Sequence, residues 1–285
     1  MPSANPCLSI TDLDFNRLRE LIHVHTGIAL SDHKRALMCS RLAKRLRFLN
    51  LSSYAEYFDH LTQTDAEGHE LREMINAITT NKTDFFRESH HFDYLASNVF
   101  PALKLAKNRR LRLWSAGTST GEEAYTLAIT LQESFGGLMN EWDIRILATD
   151  IDSRVLEAAK SGVYTQEQLQ QVPEALRKRY FLKGLGENHG RVHVKPFLQK
   201  DISFRLLNLI DRHWPMHGPF DVIFCRNVMI YFSRTSQQEL FERFARYLRP
   251  GGYLMLGHAE FIHGLEEIYS PVGHSIYMRR EGRSS

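Results

Sequence analysis

The chain has 285 residues, 43% hydrophobic and 24% charged, with a formal net charge of +3. It carries enough apolar material for one large or two ordinary cores, and its charge imbalance is too weak to imply a nucleic-acid partner. Cys7, Cys39 and Cys225 are odd in number and far apart, which excludes a disulfide frame or C-x-x-C zinc site and suggests reduced thiols.

From the N-terminus, MPSANPCLSITDLD lacks the charged-then-apolar pattern of a secretory signal. No apolar run approaches the roughly 20 residues a spanning helix needs, so the expectation is a soluble, cytoplasmic protein. Residues 12–80 read as a helical bundle. Phe15, Leu18, Leu21 and Ile22 recur at helical spacing after a capping Thr11 or Asp12. A second helix is expected over 32–49 and a third over 52–61, with Tyr54, Tyr57, Phe58 and Leu61 on one side. A fourth is expected over 66–79, carrying Leu71, Ile75 and Ile78.

Beyond residue 80 the rhythm changes. The apolar runs 111–116, 144–149, 220–225 and 252–257 alternate with helical segments near 121–135, 152–161 and 234–248. Continuous apolar strands between helices indicate a parallel sheet covered on both faces. RPGG at 249–252 stops the last helix. Between 163 and 207 the rhythm lapses. There Val192, Val194, Ile202, Phe204 and Leu206 alternate with period two, as in a small antiparallel insertion. The fold class expected is α/β, a Rossmann-like doubly wound sheet with a β insertion at about 178–207, preceded by an all-α domain. The domains expected are 1–80 and 81–285.

The stretch WSAGTSTGEEAYTLAI, residues 114–129, is a strand, a glycine turn and a helix start. A phosphate-binding loop of the G-x-x-x-x-G-K-[ST] type needs a lysine, but Glu122 and Glu123 stand here instead. The dinucleotide pattern G-x-G-x-x-G also fails, because Ser119 occupies its second glycine position. Two carboxylates would repel phosphate by several kcal/mol in a partly buried site, roughly by Coulomb's law. A cationic nucleoside suits them better, and S-adenosylmethionine carries a sulfonium and an ammonium. Asp150 directly follows the second strand, where such sheets place the acid that accepts from ribose hydroxyls. The same acids also suit a helix N-terminus and a helix cap, and either role is open.

ITTNKTDFFRE (78–88), the glycine turn, ATDID (148–152), FDVIFCRNVMIYF (220–232) and GH-x-E (257–260) together resemble the chemotaxis receptor methyltransferases, the CheR family. The resemblance runs from about residue 12 to 278 in the same order. It implies a helical domain joined to a methyltransferase domain with an inserted β-subdomain. It also implies methyl transfer from S-adenosylmethionine to glutamate carboxylates of chemoreceptors, leaving S-adenosylhomocysteine. By resemblance, Asn81, Thr83 and Arg87 face the cofactor, with Gly117, Glu123, Asp150, Asn208, Leu209, Arg226 and Asn227 completing its pocket. Arg87 and Tyr231 are the expected catalytic residues, the first orienting a carboxylate and the second near the methyl. The plainer reading of 79–88 is an interdomain hinge. Phe85 and Phe86 are expected to pack, as are Val228, Met229 and Ile230. No metal is expected, because the fourteen histidines show no pair spaced i, i+4 with a carboxylate.

Lys34, Arg41 and Arg45, flanked by Lys44, share one face of the second helix, opposite Met38, Leu42, Leu46 and Leu49. This is either a solvated face or, as the resemblance suggests, a surface that steers in the glutamate-rich helical bundle of a receptor. The β-subdomain of some family members docks a C-terminal receptor tether peptide, which an exposed strand edge would permit. Two other functions stay open: a methyltransferase acting on another substrate, and a non-catalytic module that binds the cofactor as a signal.

Overall fold

The structure, a computed structural model, describes residues 9–105 and 108–281; Cys7 lies outside them. The described residues form two compact units, one of the residues up to Thr80 with Tyr231–Ser233, the other of Asn81–Ile230 and Arg234 onward.

The first unit is helical. α1 (Asp12–Thr26) starts where the Thr11 hydroxyl accepts the Asp14 N–H, and two aspartates in its first turn suit the helix dipole. Gly27 ends it at φ 72°, donating to the His23 carbonyl. A 3₁₀ turn at Asp32–Lys34 leads into α2 (Arg35–Phe48), which buries Met38, Leu42 and Leu46. α3 (Tyr54–Asp59), capped by Ser53, continues through a π turn at His60–Thr64. α4 (His69–Ile78) buries Met74 and Ile78, and Leu71 and Ile75 lie only partly covered beside them. The inward stripe is thus turned from the one expected, because Glu70 takes a buried position. Its carboxylate accepts from Arg45 at 3.0 and 2.5 Å and from the Tyr57 hydroxyl at 2.8 Å. Tyr231–Ser233 complete the unit: the Ala29 N–H donates to the Tyr231 carbonyl at 2.8 Å, and Ile28 bridges to Phe232.

The second unit opens with α5 (His90–Tyr94) and α6 (Phe100–Leu105), joined by a π turn, and neither was read from the sequence. There follow β1 (Arg110–Ala116), α7 (Glu122–Phe135), β2 (Asp143–Asp150) and α8 (Ser153–Ser161). Next come β3 (Val163–Thr165), α9 (Glu174–Tyr180), β4 (Phe181–Lys183), β5 (Arg191–Val194) and α10 (Pro196–Gln199). β6 (Ile202–Leu206), β7 (Phe220–Cys225), α11 (Arg234–Tyr247), β8 (Leu248–Leu256), β9 (Tyr269–Gly273) and β10 (Ile276–Arg279) complete it.

Seven strands form the large sheet in the order β6-β2-β1-β7-β8-β10-β9. The first five run parallel, and β10 and β9 add an antiparallel edge. Both faces are covered, as β1 illustrates. Leu111 and Leu113 join the core that contains Ala124, Leu127 and Leu131 of α7. Trp114 packs on the other face against Trp214 and Phe244 of α11, with centroids 5.0 and 5.3 Å away. The antiparallel insertion is real but differently bounded. Its three strands are β3-β5-β4, drawn from 163–165, 181–183 and 191–194. Ile202–Leu206, assigned to it by alternation, pairs in parallel with β2 instead. An edge strand has one well-covered face, so it alternates in polarity whichever way its neighbour runs. Among the described residues no helix is long and apolar enough to cross a membrane.

Candidate functional site

The sheet order turns outward in opposite directions from β1 and β7, and at such a switch point the carboxyl ends of the strands leave a crevice. β1 delivers Gly117 there at φ 83°, and a Cβ on it would stand 2.4 Å from Val228 Cγ2. Only glycine lets this turn and the loop after β7 approach so closely. The turn is pinned by the Gly117 and Thr118 N–H groups, which donate to the Thr149 carbonyl at 2.8 and 2.9 Å. Gly121, at φ 95°, begins α7 against Ala159.

Asp150, at the end of β2, is buried beneath this turn. Its Oδ2 accepts the Ser119 N–H at 2.8 Å and its Oδ1 the Asp152 N–H at 3.0 Å. Burial, against these backbone donors, pushes its carboxyl up to about 6. A carboxylate has about four lone-pair positions, so Asp150 keeps acceptor capacity for a diol. Asn81 is tied to the same corner: its amide donates to Asp152 Oδ2 at 2.7 Å, and its carbonyl accepts the Ser119 hydroxyl at 2.7 Å. Asn208 and Leu209 follow β6, whose register sets Leu206 beside Asp150. Leu209 is buried, and the Asn208 side-chain oxygen accepts the Ile210 N–H at 3.3 Å.

The two glutamates have internal partners. Glu123 accepts the Ser115 hydroxyl at 2.6 Å and Arg226 Nε at 2.8 Å. Glu122 accepts from the Thr120 hydroxyl at 2.6 Å and the Gln168 amide at 3.2 Å, and burial pushes it up to about 6. Arg226 also donates from Nη1 to the Arg87 carbonyl at 2.8 Å and to His91 Nδ1 at 3.0 Å. Burial first, and then Arg226, holds His91 down to about 2, so its ring is neutral. The charge expected of Glu123 is thus already balanced within the protein. Glu88 offers a further carboxylate oxygen: its buried Oε2, 3.8 Å from His91 Nδ1, has no hydrogen-bond partner among the described residues, while its Oε1 accepts from Asn227 Nδ2 at 3.4 Å.

Asn227 itself sits at φ 58°, and its N–H donates to Glu260 at 2.8 Å. Glu260 also accepts the N–H groups of Met229 and Gly257, at 2.7 and 2.6 Å, and so ties the loop after β7 to the loop after β8. Glu260 falls in the GH-x-E motif, whose spacing alone carries no sign of this tie. Arg87 is partly exposed and its guanidinium donates to the Lys82 carbonyl at 2.8 Å, while Thr83 lies partly covered on the same segment. Tyr231 and the basic residues belong to the helical unit. There Arg41 donates to the carbonyl ends of α4 at Ile78 and Thr79 and to the Thr80 hydroxyl. Arg45 forks Glu70, and Lys34 and Lys44 are exposed.

The crevice fits S-adenosylmethionine. Asp150 offers acceptors that suit ribose hydroxyls, and among the described residues Glu88 Oε2, a buried carboxylate oxygen, and Thr118 Oγ1, buried at the turn, have no hydrogen-bond partner. No lysine stands in the turn to meet phosphate.

Comparison with known proteins agrees. Residues 13–79 match the family described as CheR methyltransferase, all-alpha domain, and residues 81–278 match CheR methyltransferase, SAM binding domain. The chemotaxis protein methyltransferase 2 of Pseudomonas aeruginosa is 46% identical over 265 residues, 93% of this chain and 92% of that protein. The chemotaxis protein methyltransferase of Escherichia coli is 41% identical over 270 residues, 95% of this chain and 92% of that protein. That of Salmonella typhimurium is 40% identical over 270 residues, 95% and 91% of the two chains.

Proposed function

The chain belongs to the CheR family of S-adenosylmethionine-dependent methyltransferases, and from that premise we propose that it esterifies glutamate side chains on the cytoplasmic helical bundle of chemoreceptors. The observation that carries this reading is the match, over 93–95% of the chain, to proteins named chemotaxis protein methyltransferase, joined to a crevice whose acceptors suit an adenosine donor.

When bound, S-adenosylmethionine supplies an electrophilic methyl on a sulfonium. The residues of the chain then have a modest task. A glutamate side chain titrates near about 4.3, so the substrate arrives as an anion and needs no general base. Positioning alone supplies roughly 7–11 kcal/mol of such a barrier. Asp150 accepts from the ribose, and Asn81, Thr83, Gly117, Asn208, Leu209 and Asn227 line the cofactor. The Glu123–Arg226 pair stiffens the wall behind it. Arg87 orients the incoming carboxylate with its planar fork, which must hold it loosely enough to leave one oxygen free to attack. Tyr231 is the second residue to which the family resemblance gives a part in the transfer.

The small sheet supports a second contact. A crevice of about 290 Å³ beside β4 is lined by Phe181, Arg177, Lys178 and Lys183, and β4 is an edge strand. A receptor tether peptide would suit such a groove, which Glu174 also lines, and would add to that edge. The enzyme works in the cytoplasm, where its receptor substrate is exposed.

The test is transfer of labelled methyl from S-adenosylmethionine to receptor-containing membranes. Base-labile label on receptor glutamates is expected. Label on nucleic acid or a small molecule, or cofactor binding without transfer, would overturn the reading. Arg87→Ala should lower turnover at least about 100-fold, with cofactor affinity changed by much less.

A further inference from the structure

Three histidines that the cofactor crevice does not use meet at one end of the large sheet. His90 opens α5, His258 follows Gly257 just past β8, and His274 stands in the turn between β9 and β10. They come from separate stretches of chain, and it is the antiparallel pairing of β8 with β10, Met255 against Ile276, that gathers the last two. One possible ligand atom from each ring lies within 4.8 Å of the others. The ring centroids are 5.1, 5.5 and 4.8 Å apart. His258 and His274 are exposed and His90 is half-buried, so the cluster opens to solvent.

His90 Nε2 lies 3.2 Å from the His274 carbonyl oxygen. A proton donated there leaves the other ring nitrogen with its lone pair bare. Metal-ligating histidines are oriented in this way, with one nitrogen on a backbone carbonyl and the other on the metal.

We propose that His90, His258 and His274 form a binding site for a divalent first-row transition cation, Zn²⁺ foremost, with a fourth position open to water or an outside ligand. Three imidazoles suit zinc, copper and nickel, and they are poor ligands for magnesium or calcium, which take oxygen. Zinc–nitrogen bonds of about 2.0–2.1 Å set tetrahedral ligands about 3.4 Å apart. Two of the three side chains are exposed and free to turn about χ1 and χ2 to close that gap, with the backbone left in place. The site adjoins the supports of the crevice without belonging to it. His258 neighbours Gly257, whose N–H Glu260 holds, and the His90 ring lies tilted against that of His91, which receives Arg226, with centroids 4.0 Å apart. The sequence hid the cluster because its members share no spacing.

The test uses the full chain without an affinity tag, stripped of metal and titrated with Zn²⁺ against a chromophoric chelator. Wild type should take up about one equivalent, with His258→Ala and His274→Ala each weakening it at least about 10–100-fold. The double variant should lose the site, and His263→Ala, an exposed histidine outside the cluster, should bind as wild type does. Both substituted histidines are exposed, so folding is retained and can be checked by circular dichroism. Absence of saturable binding to wild type at micromolar Zn²⁺, or unchanged affinity in the double variant, would overturn the proposal.

Discussion

At the scale of single residues, Asp150 bears the strongest prediction. Its carboxyl, lifted to about 6 by burial, is partly protonated in mildly acidic solution. In the proposed binding mode ribose hydroxyls donate to the anion, so binding favours the ionised form and draws the titration downward. Affinity for S-adenosylhomocysteine, measured by calorimetry, should be level above about pH 7 and fall as pH drops through 6. Asp150→Ala should cost about 100-fold or more, since hydrogen bonds to a charged acceptor contribute about 1.5–3 kcal/mol each. Asp150 was legible as an acid at the end of an apolar strand, although the sequence left open whether it serves a ligand or the next helix. Glu123 was legible as an acid at the turn, but its partner was not. Arg226 lies more than a hundred positions away, and only the pairing of β1 with β7 brings them to 2.8 Å. Such a buried pair makes Arg226 a poor probe of cofactor binding, because removing one partner costs about 3–5 kcal/mol in folding alone.

At the scale of elements, the turn from β1 into α7 is held by close backbone approach. Gly117→Ala meets two penalties, a left-handed backbone at φ 83° and a methyl 2.4 Å from Val228 Cγ2. Together they should cost about 2–4 kcal/mol, read as a lower urea midpoint with unchanged slope. Val228→Ala in the same chain should return the steric part and leave the backbone part, so the cycle separates the two. The continuous apolar strands β1, β2 and β7 could be read closely from sequence because both faces are covered. The hairpin of β9 and β10 could not: Tyr269–Gly273 contains a proline and two exposed faces near its end, with nothing to distinguish it from a loop. β6 was seen as a strand and given to the wrong sheet, since period two reports one-sided cover and not strand direction.

At the scale of the whole molecule, net charge is small, so any steering of an acidic receptor depends on local basic groups. Arg41 and Arg45 shared the helical stripe with Lys34, but the structure uses both internally, on the end of α4 and on Glu70. Their substitution would mix loss of packing with loss of charge. Lys34→Glu combined with Lys44→Glu alters exposed charge alone. It should slow receptor methylation about 10-fold at low salt, the gap closing as salt rises, with S-adenosylhomocysteine affinity unchanged. A rate that ignores both the charge reversal and the salt would mark these lysines as ordinary solvated groups. The sequence could reveal that the residues were basic and helical. It could not reveal which were already engaged, because Glu70 and the α4 carbonyls lie on another helix.

Tyr231–Ser233, packed with the helical unit, also bear on how this architecture can be inherited. Two matched sequence segments meet at residue 80, as if either could be lifted out whole. The helical piece so excised would forfeit the companions of Ile28 and Ala29, which the chain supplies some 200 positions later. Swapping that piece between relatives therefore demands a matching exchange at 231–233, and chimaeras joined at a single seam should be the poorer folders.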